Sequence, residues 1–153
     1  MMQITFRSAT EKDYPKIIEL HKSEDWGLDT PRALKNFQEQ GNEIVVAELI
    51  DEKSVNEQNS NKSSGKIIGK MDLMQKKREN IHFLYVERLI LDSNHRNKGI
   101  GKKFLEYAEE QAKKRNLNIL DVAVRDENEI AKKLYHGSGF NIIGKKVYMR
   151  KEI

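Results

Sequence analysis

The 153-residue chain has no cysteine, which excludes disulfides and any thiolate chemistry on the protein itself, though not a particular compartment. No stretch approaches the roughly 20 apolar residues of a membrane span. The opening MMQITFRSATEKDYPKIIEL lacks the continuous apolar core of a signal peptide. Runs of one charge are short: the longest basic ones, at 76–78 and 113–115, fall below the roughly five or six residues of a nucleic-acid arm. The four histidines, at 21, 82, 95 and 136, show no metal-ligand spacing, so no metal is expected. A soluble, cytoplasmic protein is the economical expectation, with no membrane or nucleic-acid partner.

What is present suits one domain over residues 1–153, long enough to bury a core. Charged residues make up 34%, with 28 basic against 24 acidic, and the interspersed signs describe an ordinary solvated surface. Gln3–Arg7 alternates like a short strand, and a helix is expected over Glu11–His21 with Ile17, Ile18 and Leu20 inward. Thr30 is a good N-cap and Pro31 suits a first helical position, opening a helix that Gly41 stops. Glu43–Ile50, Lys66–Met74, His82–Leu91 and Asn118–Val124 read as strands. Between the first two, residues 51–65 hold one apolar side chain, Val55, and read as a mobile loop. Ile100, Phe104, Leu105, Ala108 and Ala112 form a helical stripe, and Ile130, Ala131, Leu134 and Tyr135 mark a face of a shorter helix. Phe140–Ile143 and Lys146–Arg150 are expected as closing strands. Strands alternating with helices in the second half imply a parallel crossover, hence an α/β or α+β class with a mixed sheet.

The stretch NHRNKGIGKKF, residues 94–104, places Arg96, Lys98, Lys102 and Lys103 around Gly99 and Gly101 at a helix start. Isolated helices prefer the reverse, acids first and bases last. Strand, glycine turn and helix start together form a phosphate cradle from free N–H groups and the helix dipole. A glycine turn with solvated lysines is the plainer alternative. The P-loop is rejected, because Gly65-Lys-Ile-Ile-Gly69-Lys70-Met71 has the wrong spacing and lacks the Ser or Thr. The dinucleotide fingerprint is rejected too, since Phe104 stands where a small residue is needed.

Arg96-x-x-Gly99-x-Gly101 resembles the Arg/Gln-x-x-Gly-x-Gly/Ala signature of the GNAT superfamily of acyl-CoA-dependent N-acyltransferases. Asn128-x-x-Ala131-x-x-Leu134-Tyr135-x-x-x-Gly139-Phe140 resembles that family's second motif, in the right order and at the right separation. Ser93 departs from the proline many members carry, which touches only a turn. The resemblance implies a GNAT-like fold: a mostly antiparallel sheet with a splayed parallel pair holding acetyl-CoA, flanked by about four helices. It further implies pantetheine against the backbone of Leu89, Ile90 and Leu91, with Asn128 nearby. Pyrophosphate would meet Arg96, Asn97, Lys98, Gly99, Ile100, Gly101 and Lys102.

By the same resemblance Tyr135 is the acid that protonates the leaving thiolate; a core tyrosine with a satisfied hydroxyl is the alternative. With tyrosine near 10 and a thiol near 8.5, that transfer is uphill by about 2 kcal/mol. Glu87, a carboxylate in the apolar strand YVERLIL, resembles the glutamate that meets the amine in polyamine and aminoglycoside acetyltransferases, as base or as ammonium ligand. Trp26 with Glu24 or Asp25 would border the acceptor pocket, or form an ordinary polar loop. The implied activity is transfer of acetyl from acetyl-CoA to a primary amine by direct attack in a ternary complex, the acceptor a small cation such as a polyamine or aminoglycoside. Acetylation of a protein N-terminus or lysine, and a non-catalytic CoA-binding sensor, stay open. Family members often form homodimers, so that too is an expectation.

Overall fold

The computed structural model describes residues 2–51 and 65–153. The expected mobile loop falls, apart from its two end residues, outside the described residues. The chain divides into two compact units, Met1–Val122 and Ala123–Ile153.

In the first unit β1 (Met2–Ser8) leads through a 3-10 turn into α1 (Tyr14–Ser23), then α2 (Pro31–Glu39), β2 (Glu43–Asp51), β3 (Lys66–Arg78), β4 (Ile81–Leu91), α3 (Ile100–Lys114) and β5 (Leu120–Val122). The expected N-cap is made: the Thr30 hydroxyl accepts from the Ala33 N–H at 3.1 Å, with Pro31 following it. The sheet runs in the order β1-β2-β3-β4-β5. Its first four strands are antiparallel, and β5 is parallel to β4 after the α3 crossover. β3 and β4 are longer than expected and meet in a tight turn with Glu79 at φ 55°, so Lys76 and Arg78 flank a hairpin tip.

Two apolar layers cover the sheet. Tyr14, Ile17, Leu34 and Phe37 from α1 and α2 pack with Ile44, Val46, Ile67 and Met74 from β2 and β3. On α3 the expected stripe is buried, and Phe104 meets Phe6 edge-on with ring centroids 4.8 Å apart. Gly69 on β3 is required by this junction. A Cβ there would lie 2.7 Å from Leu91 Cδ2, 2.8 Å from the Ile90 carbonyl oxygen and 3.2 Å from Phe104 Cε2.

The second unit contains α4 (Glu129–Gly137). Asn128 caps it, its side-chain oxygen accepting from the Ala131 N–H at 3.1 Å. Gly139 at φ 92° ends it, and the Phe140 N–H returns to the Tyr135 carbonyl at 3.0 Å. Three expectations are corrected. The strand of residues 118–124 contracts to Leu120–Val122, Ile130 is 83% exposed rather than inward, and residues 140–153 form no strand. Strand propensity expresses fit to a half-buried surface, whereas Ile143, Val147 and Tyr148 are exposed.

Candidate active site

β4 carries the site because its two neighbours treat it differently. β3 pairs along β4 as far as Gly69↔Leu91, while the parallel β5 pairs only with Leu84, Tyr85 and Val86. Glu87 through Leu91 therefore extend past the last β5 partner. The parallel pair that the resemblance implied is present, and its ladder stops at Val86. The β3 register also slips at this point: Lys70 faces Ile90 and Asp72 faces Glu87, so Met71 stands opposite both Arg88 and Leu89. Such an insertion is a β-bulge, and Arg88 takes the left-handed φ of 50° within it.

The loop leaving β4 is tied down. Asp92 accepts from the Asn94 N–H at 3.2 Å and from Lys16 Nζ of α1 at 2.8 Å. Arg96 Nε donates back to the Leu91 carbonyl at 3.2 Å, which turns the segment toward α3. Asn97 and Gly99 are left-handed, at φ 61° and 78°. Gly99 is the N-cap of α3 and has no side chain to accept from the first turn. The opening N–H groups of an α-helix have no intrahelical partner, so those of Ile100, Gly101 and Lys102 are available to an anion. Arg96, Lys98 and Lys102 are exposed beside them. Charge, free donors and a glycine that admits close approach fit a diphosphate.

Of the expected acceptor residues, Glu87 is part-exposed on β4 and its carboxylate lies 3.5 Å from the Arg88 guanidinium. Asp25, at φ 54°, and Trp26 stand in the α1–α2 loop, where the Trp26 N–H donates to the His21 carbonyl at 3.0 Å. The Trp26 ring meets the His21 imidazole edge-on at 5.8 Å. Neighbouring Glu24 reaches Arg96 at 3.7 Å, so the α1–α2 loop touches the loop that leads into α3. Asn128 and Tyr135 belong to the second unit. Asn128 spends its oxygen on the α4 cap, leaving its amide N–H groups for other partners. Tyr135 is buried, its ring edge-on to Phe140 at 5.9 Å, and burial pushes its hydroxyl up to about 12.

Sequence reasoning missed a buried charge cluster on the α1/α2 side of the sheet. Lys70 and Asp72 are 0% and 1% exposed, with Lys70 Nζ donating to Asp72 Oδ1 at 2.5 Å. Arg88 Nε donates to the other carboxylate oxygen at 2.6 Å. Burial, against the attraction of Asp72, pushes the Lys70 amine down to about 8. His21 is buried and held below its usual range by burial and then by Lys70. The available signal was two opposite charges at i and i+2 in the apolar run IIGKMDLM, hence on one strand face. Among the described residues no cluster of metal-ligating side chains occurs, and no helix is long and apolar enough to cross a membrane.

A parallel strand pair whose ladder ends before β4 does, followed by a left-handed glycine turn and a basic helix start, gives a mixed α/β fold with an arrangement that fits a phosphorylated ligand. The chain belongs to the acetyltransferase (GNAT) family, which it matches over residues 12–140. It is 28% identical over 92 residues to an uncharacterized N-acetyltransferase of Lactobacillus delbrueckii subsp. lactis. That match covers 58% of this chain and 53% of the relative, so the chain spans about half the length of the curated relative it matches. AAC(6')-Iy in complex with the bisubstrate analogue CoA-S-monomethyl-acetylneamine superposes with TM-score 0.72 at 15% identity, covering 99% of each chain. A ribosomal-protein-alanine N-acetyltransferase from Brucella melitensis biovar Abortus 2308 gives TM-score 0.73 at 17% identity, covering 97% of this chain and 99% of that one. At such identities the likeness speaks to the fold, which is the GNAT fold.

Proposed function

We propose that the protein is an acetyl-CoA-dependent N-acetyltransferase acting on a small primary amine. The observation that carries this is the uncapped, basic start of α3 in the segment that follows β4, whose end extends past its β5 partner. Arg96, Asn97, Lys98, Gly99, Ile100, Gly101 and Lys102 would hold the pyrophosphate, and the backbone of Leu89–Leu91, with Asn128, the pantetheine. Acetyl-CoA, when bound, supplies an acetyl group activated as a thioester. The Leu89 backbone N–H offers a preoriented donor for charge that develops at a carbonyl oxygen. Glu87 binds the ammonium and accepts its proton, directly or through water, so that a neutral amine attacks. Tyr135 returns a proton to the departing sulfur. The chain has no cysteine to carry a thioester-linked acyl-enzyme, which supports direct transfer within the ternary complex.

A small cationic acceptor such as a polyamine or aminoglycoside is favoured by Glu87, Asp25 and Trp26. The test is acetyl transfer from acetyl-CoA to a panel of polyamines, aminoglycosides and peptides, followed by thiol release. Turnover on small amines is the expected result. Turnover confined to peptides would redirect the acceptor to protein amines, and CoA binding without release across the panel would make the protein a sensor.

A further inference from the structure

A buried charge pair is an expensive way to fill a sheet. Apolar residues of similar volume are usually as stabilising or more so. Lys70 and Asp72 nevertheless replace them on β3, and their position says what they secure. Asp72 faces Glu87 across the ladder at the place where β4 carries its extra residue. That residue, Arg88, is a non-glycine in a left-handed conformation that side chains disfavour.

Arg88 is held from three sides. Its Nε donates to Asp72 at 2.6 Å, its guanidinium stands 5.4 Å from the Phe37 ring centroid, and Glu87 lies 3.5 Å from a terminal nitrogen. Lys70 in turn fixes the second oxygen of Asp72, so the carboxylate cannot turn away from Arg88. The peptide N–H immediately after Arg88 is that of Leu89, beyond the last β5 pair. A bulge re-aims the groups beside it, and here a buried carboxylate sets the bulge.

We propose that Asp72, acting through Arg88, is a positioning residue that aims the Leu89 backbone N–H at the thioester oxygen, with Lys70 locking the carboxylate. The inference rests on the acyl-CoA reading given above and assigns Asp72, Lys70 and Arg88 no contact with substrate. It concerns binding before any turnover, so it is tested without an acceptor.

The experiment is calorimetric titration of the full chain with acetyl-CoA and with CoA. These ligands differ in the acetyl group that the N–H would receive. One hydrogen bond corresponds to a preference for acetyl-CoA of about fivefold. Arg88→Met leaves the Lys70–Asp72 pair in place, so the core persists; it should bring the preference to about one while CoA affinity stays within about twofold. Asp72→Asn should act in the same direction, and Arg88→Lys, which keeps a cation for Asp72, should restore part of the preference. The Leu89 amide signal in an NMR spectrum should respond differently to the two ligands in the wild type and alike in Arg88→Met. A wild-type preference retained in Arg88→Met overturns the proposal, as does a parallel loss of both affinities, which is what a merely structural role gives. Equal wild-type affinities for the two ligands would sink this inference alone, whereas a wild type that binds neither would sink the acyl-CoA reading beneath it.

Discussion

Replacing Lys70 by methionine gives a measurement with a definite sign. The amine is fully buried against Asp72, and burial brings it from an ordinary 10.5 down to about 8. At about 1.4 kcal/mol per pH unit, that difference corresponds to about 3 kcal/mol of folding free energy. Below pH 8 both the folded and the unfolded chain carry the proton, and the penalty for burying charge is fully present. Between pH 8 and 10.5 the folded chain sheds the proton while the unfolded chain keeps it. The unfolded state then binds more protons, so stability from this site rises with pH. Urea unfolding of wild type and Lys70→Met at pH 7, 8.5 and 9.5 isolates the effect, because titrations shared by both proteins cancel in the difference. The wild type should gain on the variant by about 1 kcal/mol per pH unit above pH 8.5. Parallel stability curves would mean that Lys70 is solvated or titrates normally, and would refute the buried-pair account.

Tyr135→Phe should lower kcat by about a hundredfold to ten-thousandfold with CoA affinity unchanged; unaltered turnover would remove Tyr135 from the chemistry. Because burial holds its hydroxyl near 12, Tyr135 should also contribute no alkaline limb to the kcat profile below about pH 11. Gly99→Ala meets no atom within 4 Å but forces a side chain onto φ 78°. It should lower stability by about 1 kcal/mol and weaken CoA binding; an unmoved unfolding midpoint would mean that this backbone conformation is not held in solution.

The higher tyrosine value revises the chemistry expected from sequence. Proton transfer to a thiolate near 8.5 becomes uphill by about 5 kcal/mol rather than about 2. That remains well under the barrier of about 16 kcal/mol for a turnover of about ten per second. The sequence showed that Tyr135 would be buried but not by how much, because burial depends on what covers α4. Local signals were legible where a few neighbouring residues decide the outcome. Thr30 with Pro31 set a helix start, and Gly99 marked the turn that opens α3. The Arg88 bulge was not legible, since it arises from register between β3 and β4, residues far apart in the chain. The C-terminal apolar alternation misled for a related reason: a strand needs a partner as well as a pattern, and residues 140–153 take none.

Gly69 bears on how mutational tolerance in this protein should be understood. Its missing side chain lets β3, the end of β4 and Phe104 of α3 meet at one point, and even one added carbon would collide with a backbone carbonyl. A saturation screen scored by growth or activity would therefore mark Gly69 as sensitive beside Gly99. The two would fail for unrelated causes, one by jamming a wall of the core and the other by strain in the turn that opens α3. Intolerance alone would draw the active site too large, and a parallel abundance measurement would be needed to mark its true edge.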